Sequence, residues 1–539
     1  MKKSLENLKP VFKGDLYTDT LHKLLYATDA SAYREVPQAV ARPANNEDLK
    51  KLVRFANEHK TSLIPRGAGT SLAGQVVGPG IVVDLSKYFT RILEVNQEEK
   101  WVRVQPGVVL DELNQYLAAY DLFFGPETST SNRCVLGGML GNNSCGSHSI
   151  LYGSTRDHTL SVKAILSDGS EAELGPLTPE EFTSKCQGNN LENEIYRHIR
   201  DTLSNAKNQE EIRKEYPDPE VHRRNTGYSL DLLLESNMFS SSGDRFNFCK
   251  LLAGSEGTLA FVTELKLNLV PLPPKEKGLL CVHFHEREEA FQANLVALKH
   301  KPGAVEMMDY NILKLTEGNR EQKSNRFFVS GEPGAILIIE FARETREEIE
   351  NKAKEVEADL KKAGLGYHFP LILGADTKKV WALRKAGLGL LSNMKGDAKP
   401  VSLIEDTAVN VEVLPDYMKA FEKLLKKYNK DCVYHAHIGS GELHLRPVLN
   451  LKDPNDVELF YKLGKEVARL VKQFKGSLSG EHGDGRLRGE FIPIILGEHN
   501  YNLLKSVKNA WDPNHILNPG KITDTPSMKE SLRHEPGKP

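Results

Sequence analysis

No Cys-x-x-Cys pair occurs in this sequence, and its six cysteines (Cys134, Cys145, Cys186, Cys249, Cys281, Cys432) are widely dispersed. That excludes the spacings that hold a zinc ribbon, a redox disulfide or an iron–sulfur cluster. Scattered thiols fit a reducing, cytoplasmic compartment, with docking at the periphery of the inner membrane left open. Long apolar runs are also missing: the longest, around AILIIEFA, is too short to span a bilayer. The N-terminus, MKKSLENLKPVFKGDLYTDT, has no apolar core behind its leading lysines, so neither an export signal nor an integral membrane segment is expected. Charge of one sign is absent too. The 71 Lys+Arg against 73 Asp+Glu leave no basic surplus, which argues against nucleic acid as a main partner.

What is present is length and glycine. A chain of 539 residues exceeds what one hydrophobic core supports, so at least two domains are expected. Helix and strand alternate from about Leu49: EDLKKLVRFANEHK reads as an amphipathic helix, SLIPRGAGTS as a strand entering a glycine loop, and GIVVDLS and WVRVQPG as strands. The helix VLDELNQYLAAY precedes Phe123 to Tyr152, a stretch with little helical or strand periodicity that is crowded with Gly, Asn, Ser and Thr. LSVKAILSDGS resumes the strands. After a charged helical insertion from Glu180 to Tyr216, KLLAGSEGTLAFVTELKLNLV reads as a second glycine loop flanked by strands. PLPPKEKG marks a boundary. Beyond it LLCVHF, EAFQANLVALKH, AVEMMDY, AILIIEFA and EEIENKAKEVEADLKKAG repeat a β-α-β rhythm to about Ile492, and WDPNHILNPGKI reads as a closing turn back to the first domain.

PRGAGTSLAG places glycines at 67, 69 and 74 beside small hydroxyl residues directly after a strand, which gives backbone amides access to a pyrophosphate. It is not the Rossmann fingerprint, and a plain tight turn is the bland alternative. PETSTSNRCVLGGMLGNNSCGSHSILYG and GSEGTLAFVTEL are equally poor in large side chains, and the three together suggest one extended cofactor groove. The stretch from Tyr33 to Leu272 resembles flavoproteins of the p-cresol methylhydroxylase and vanillyl-alcohol oxidase type. That resemblance implies an α+β chain with a two-lobed PCMH-type FAD-binding domain over 33–272 and a ferredoxin-like α+β substrate (cap) domain over 273–492. Residues 1–32 lead in, and 493–539 return to the first domain and end in a polar tail. It also implies that Arg66, Gly67, Ala68, Gly69, Thr70 and Ser71 wrap the FAD pyrophosphate. Pro126, Glu127, Thr128 and Ser129, with Gly137, Gly138, Gly141, Asn142, Asn143, Ser144, Cys145 and Gly146, line the other side, and Glu256, Gly257 and Val262 hold the ribose and adenine end. No His or Cys lies within PRGAGTS, so non-covalent FAD is expected, with Cys145 and His148 merely packing nearby.

DCVYHAHIGSGELHLRPVLN sets His435 and His437 on one face of a strand, and His444 and Arg446 on one face of the next. A hairpin brings the pairs together, and imidazoles converging from adjacent strands suit a divalent metal with a carboxylate as third ligand. Glu481 in SGEHGDGRLRGEF is the candidate; the alternative is a set of structural histidines. HIGSGELH with GEHGDG resembles FAD-linked D-2-hydroxyacid dehydrogenases: D-lactate and D-2-hydroxyglutarate dehydrogenases and the catalytic subunit of glycolate oxidase. The resemblance is closest to the N-terminal half of bacterial fusions that continue into iron–sulfur modules. It implies His437, His444 and Glu481 as ligands, of zinc first and manganese or iron otherwise, and His482 as base. The common pattern H-x-G-D-G-N-x-H is altered here, with Ser440 for Asp and Glu442 for Asn. Glu442 then reads either as an extra ligand or as a charge that repels acidic substrates.

The resemblance implies oxidation of a small D-2-hydroxy acid (D-2-hydroxyglutarate, D-lactate or glycolate), with proton abstraction at His482 and hydride transfer to the flavin. Arg384, in VWALRKAG, would clamp the carboxylate, a surface arginine being the alternative. Arg446, Arg486 and Arg488 would grip a second carboxylate, and Glu405 and Asp406 either approach the flavin or form a charged strand edge. With no cysteine relay, electrons are expected to leave to an acceptor protein, a quinone or a separate iron–sulfur subunit; a homodimer is compatible with these features. The competing readings are a metal-independent flavin oxidase or non-redox flavoenzyme of the same fold, and a flavin-free metal hydrolase.

Overall fold

The computed structural model describes residues 2–390 and 394–537. Besides a two-stranded ribbon that pairs Leu122–Phe123 with Val270–Pro271, the first half holds two larger sheets. In one, Ala39–Arg42, Ile81–Asp84 and Leu63–Arg66 run parallel, with Asp15–Tyr17 added antiparallel at the edge. The helix Asn46–His59 makes the crossover between the outer two of these parallel strands. It starts where the Asn45 side chain accepts from the Asp48 amide and stops at Lys60 in the left-handed conformation. Its buried Leu49, Leu52, Val53 and Ala56 recur at one-face spacing and pack on the sheet.

The other sheet is antiparallel, in the order Ile92–Asn96, Trp101–Val104, Phe261–Asn268, Thr159–Ile165, Glu171–Leu174. Phe261–Asn268 alternates as a strand with one buried face should: Phe261, Thr263, Leu265 and Leu267 are inside.

The second half is built on one antiparallel sheet of eight strands. Leu371–Leu373, Glu276–Phe284, Ala335–Arg343, Ala304–Asp309, Cys432–His437, Glu442–Leu449 and Lys399–Pro400 lie in that order, and Ile404–Ala408 also pairs with Glu442–Leu449. The central strands are near-continuous apolar runs because helices cover both faces. Leu280, Val282 and Phe284 share a core with the helices Arg287–Leu298 and Arg346–Lys362, whereas Leu279 and Cys281 pack with Val380 and Leu383 of the helix Thr377–Leu390. That second face carries the chemistry described below.

The chain then returns. Ile492–Trp511 packs against the helices Leu191–Ser204 and Ala206–Glu215, and the Leu63 amide donates to the Ile516 carbonyl at 2.7 Å, placing Ile516 and Leu517 in the core of the parallel sheet.

Two local expectations need correction. The stretch 123–152 contains helices at Leu136–Asn142 and Ser149–Tyr152. Three glycines in LGGMLGN hide the first one, since glycine disfavours an isolated helix and only tertiary packing rescues it; a Cβ on Gly137 would stand 2.5 Å from Pro106. The GSEGT loop is preceded by a helical turn, Cys249–Leu252, rather than a strand.

Candidate active site

A cavity of about 930 Å³ runs between the two lobes of the first half and opens onto the second face of the large sheet. Its walls include Arg66 through Ser71, Glu127 through Ser129, Gly137, Gly138, Gly141, Asn142, Ser144 through Gly146, Glu256, Gly257 and Val262. Pro126 and Asn143 are not on the wall. Asn143 closes the helix Leu136–Asn142 in the left-handed conformation, its amide bonded to Asn225 at 2.8 Å. A Cβ on Gly141 would meet nothing within 4 Å, so the wall is left bare there. Size, length and an arginine beside a run of free amides fit a dinucleotide. His148 is engaged at both ring nitrogens: Nδ1 donates to Glu127 at 2.6 Å and Nε2 to Glu340 at 2.8 Å. Burial opposes its charge, but Glu127 and Glu340 outweigh it and push its pKa up to about 10.

At the far end the predicted histidine hairpin forms, Cys432–His437 pairing with Glu442–Leu449 around a turn closed by Gly441. Gly441 has φ 72°, and a Cβ there would overlap the Val409 carbonyl. The GEHGDG segment arrives from the other side. Gly485, at φ 52°, lies so close to the Ala73 carbonyl that no side chain fits, and the Arg486 amide donates to that carbonyl at 2.8 Å. This docking on the first half carries Glu481 and His482 into the space between the halves.

One ligand atom from each of His437, Glu442, His444 and Glu481 lies within 4.8 Å of the others. Glu481 Oε1 is the centre of convergence: the Nε2 atoms of His437, His444 and His482 stand 3.4, 3.6 and 3.3 Å from it. His437 donates from Nδ1 to Glu306 at 2.7 Å, which leaves its Nε2 lone pair facing the cluster, the arrangement of metal-binding histidines. Burial opposes ionisation of Glu481, but Arg223 and His437 hold it well below the usual carboxylate range. Two imidazoles and two carboxylates, each offering one ligand atom to the same small space, are a donor set that a divalent cation fits.

Arg384 is buried, lines the cavity and donates from Nη2 to Glu306 at 2.7 Å, while its Nε has no partner. Arg446 likewise faces the cavity, paired with Glu405 and with Nε unpartnered. Arg486 and Arg488 do not: Arg486 pairs with Glu35, and Arg488 is spent on the Gly483 and Glu405 carbonyls and on Asp406. The expected grip on a second carboxylate loses those two. Glu405 and Asp406 form no exposed edge, since both are fully buried. Asp406 accepts from the Glu481 amide at 2.7 Å, the His482 amide at 2.9 Å and Ser479 at 2.7 Å, so it fastens the GEHG turn. Burial favours neutral His482, but Asp406 and Glu405 outweigh it and push its pKa up to about 10. Engagement of Glu481 by a cation removes one of the carboxylates behind that rise.

Three residues were missed by sequence reasoning. Glu306 joins His437 to Arg384, Glu340 joins His148 to Trp381, and Arg223 reaches Glu442 and Glu481 from the first half. A signal for two of them exists: a glutamate set among the apolar residues of the strands AVEMMD and AILIIEF costs too much to be incidental.

Residues 37–175 match the model of the FAD binding domain, and residues 273–522 that of the FAD linked oxidases, C-terminal domain. The chain therefore carries an FAD binding domain followed by the C-terminal domain of FAD linked oxidases. It is 35% identical over 535 residues to a D-2-hydroxyglutarate dehydrogenase of Haemophilus influenzae, covering 97% of this chain and 51% of that protein. The same comparison with the Escherichia coli D-2-hydroxyglutarate dehydrogenase gives 35%, 96% and 52%. The chain thus spans about half the length of those relatives. Against glycolate oxidase subunit GlcD of Bacillus subtilis it is 26% identical over 93% of this chain and 92% of GlcD. The fold matches p-cresol methylhydroxylase with a TM-score of 0.67 at 13% identity, covering 97% of both chains. Among the described residues no helix is long and apolar enough to cross a membrane.

Proposed function

We propose that this chain oxidises a small D-2-hydroxy acid to the 2-oxo acid, holding FAD in the long cavity and a divalent cation, zinc first, at His437, His444 and Glu481. The observation that carries the reading is the convergence of three imidazole Nε2 atoms on Glu481 Oε1 at the end of a cavity lined by an FAD-binding domain. Its relatives are named D-2-hydroxyglutarate dehydrogenase, glycolate oxidase subunit and D-lactate dehydrogenase.

When bound, FAD supplies a hydride acceptor and the cation a Lewis acid. The chain's own residues do the rest. Arg384, fixed by Glu306, presents its remaining donors to the substrate carboxylate, and a planar fork suits that group better than a lysine would. Arg446, held by Glu405, takes a second acidic group, which favours diacids such as 2-hydroxyglutarate. His482, neutral when a cation is bound beside it, accepts the hydroxyl proton at Nε2, and the Glu405 carboxylate, 3.3 Å from its Nδ1, stabilises the charge it acquires. The buried wall excludes water from these groups. Electrons collected here pass to an acceptor outside the described residues, whose six cysteines are all unpaired.

A dye-reduction screen over D- and L-lactate, glycolate, D- and L-2-hydroxyglutarate and D-malate, with and without chelator, tests the reading. D-selective reduction that stops on chelation is expected; indifference to chelator removes the cation from the scheme.

A further inference from the structure

Glu442 stands where the family pattern carries asparagine, and it is fully buried. Its Oε2 accepts from Arg223 Nη1, while its Oε1 has no hydrogen-bond partner. Facing that oxygen at 3.6 Å is His444 Nδ1, also without a partner. The other imidazole of the cluster shows the finished version of this contact: His437 donates from Nδ1 to buried Glu306 and turns Nε2 to Glu481. The two histidines are thus arranged alike, each with Nδ1 toward a buried carboxylate and Nε2 toward Glu481 Oε1.

Resting on the cation reading above, we infer that Glu442 is a positioning residue that takes the Nδ1 hydrogen of His444 and so keeps its Nε2 lone pair available to the cation, with Arg223 holding the carboxylate in place. An imidazole whose Nδ1–H is given to a carboxylate is both fixed in orientation and a stronger donor at Nε2. Asparagine supplies a weaker acceptor; glutamate supplies a charged one, and burying it needs a counter-charge. Arg223 is that counter-charge, and the pair adds no net charge to the site. Its guanidinium is anchored on the first half, donating to the Gly146 carbonyl and from Nε to Ser149 at 3.0 Å. It also donates to Glu481 Oε2 at 3.0 Å, leaving Oε1 for the cation. Arg223 therefore braces two carboxylates of the cluster from across the domain junction.

The test uses flavin-loaded protein, zinc affinity measured by competition with a chromophoric chelator, and the visible spectrum at saturating cobalt(II). In Glu442→Gln, the one amide oxygen goes to charged Arg223, and an NH₂ faces His444 Nδ1. The ring then carries its hydrogen on Nε2, and zinc binding weakens 10–100-fold with the saturated cobalt spectrum unchanged. Arg223→Met/Glu442→Leu removes both charges together, which spares folding, and shows a similar loss; it carries the test if the single variant does not load flavin. Flavin content serves as the control for the fold. Zinc affinity of E442Q within twofold of the parent overturns the inference. So does recovery in the double variant, which reduces Glu442 to a counter-ion for Arg223, or an altered cobalt spectrum, which makes Glu442 a direct ligand. Failure of the unaltered protein to bind zinc or cobalt stoichiometrically sinks the cation reading itself and is seen before any variant is made.

Discussion

In the proposed scheme Glu306 is the residue on which cation and substrate chemistry meet, and Glu306→Gln separates them. The carboxylate is fully buried and accepts two hydrogen bonds of 2.7 Å, from His437 Nδ1 and Arg384 Nη2. Glutamine has the same shape but one acceptor, so it serves one donor and opposes the other with an NH₂. Hydrogen bonds to a charged group are worth about 1.5–3 kcal/mol each, and an unpaired buried guanidinium is the costlier of the two to leave. The amide oxygen therefore goes to Arg384, and His437 switches tautomer, placing a hydrogen on the Nε2 that stands 3.4 Å from Glu481. The expected result is zinc affinity lower by 10–100-fold, about 1.4–2.7 kcal/mol, with kcat restored by excess zinc and KM changed less than threefold, about 0.7 kcal/mol. Chelator competition and steady-state kinetics on flavin-loaded enzyme read both. Zinc affinity within twofold of the parent, or a kcat that excess zinc leaves low, would refute the assignment of Nε2 to the cation.

Three further outcomes follow from the same geometry. His148→Gln breaks the bridge from Glu127 to Glu340 across the two halves, at about 2 kcal/mol, between the ~1 of an exposed pair and the ~3–5 of a buried one. Because the folded-state pKa is raised from 6.5 to about 10, that stabilisation is full below pH 6.5 and lost as pH rises toward 10. The melting-temperature gap between parent and variant should close over that window, and a gap constant with pH contradicts it. Gly141→Val projects a branched side chain into open cavity and should yield folded protein with little bound flavin, read by absorbance; full flavin loading disproves the cavity assignment. Arg384→Lys keeps the charge and loses the fork, so KM for the hydroxy acid should rise at least tenfold with zinc content unchanged.

The hairpin carrying His437 and His444 was legible because period-two spacing and a glycine turn are local signals. So were the glycine loops, each of which reaches the cavity. The helix Leu136–Asn142 was not, because its glycines are tolerated only by packing that the sequence alone does not display. Arg486 and Arg488 were read, with Arg446, as a grip on a second carboxylate; the turn Asp484–Arg488 instead folds them onto Glu35 and onto backbone carbonyls. Arg223 lies 219 residues from Glu442 and in no motif, so only the docking of the two halves reveals it. Glu442, read as an extra ligand or a repeller of acids, had its partner hidden for the same reason.

The central claim is tested most directly by anaerobic reduction of the flavin-loaded protein. Mixed with D-2-hydroxyglutarate or D-lactate, the yellow absorbance should bleach in a single turnover, and the bleaching should vanish after chelation and return with zinc. Equal bleaching by the L-enantiomers, or bleaching that survives removal of all divalent metal, would contradict the account.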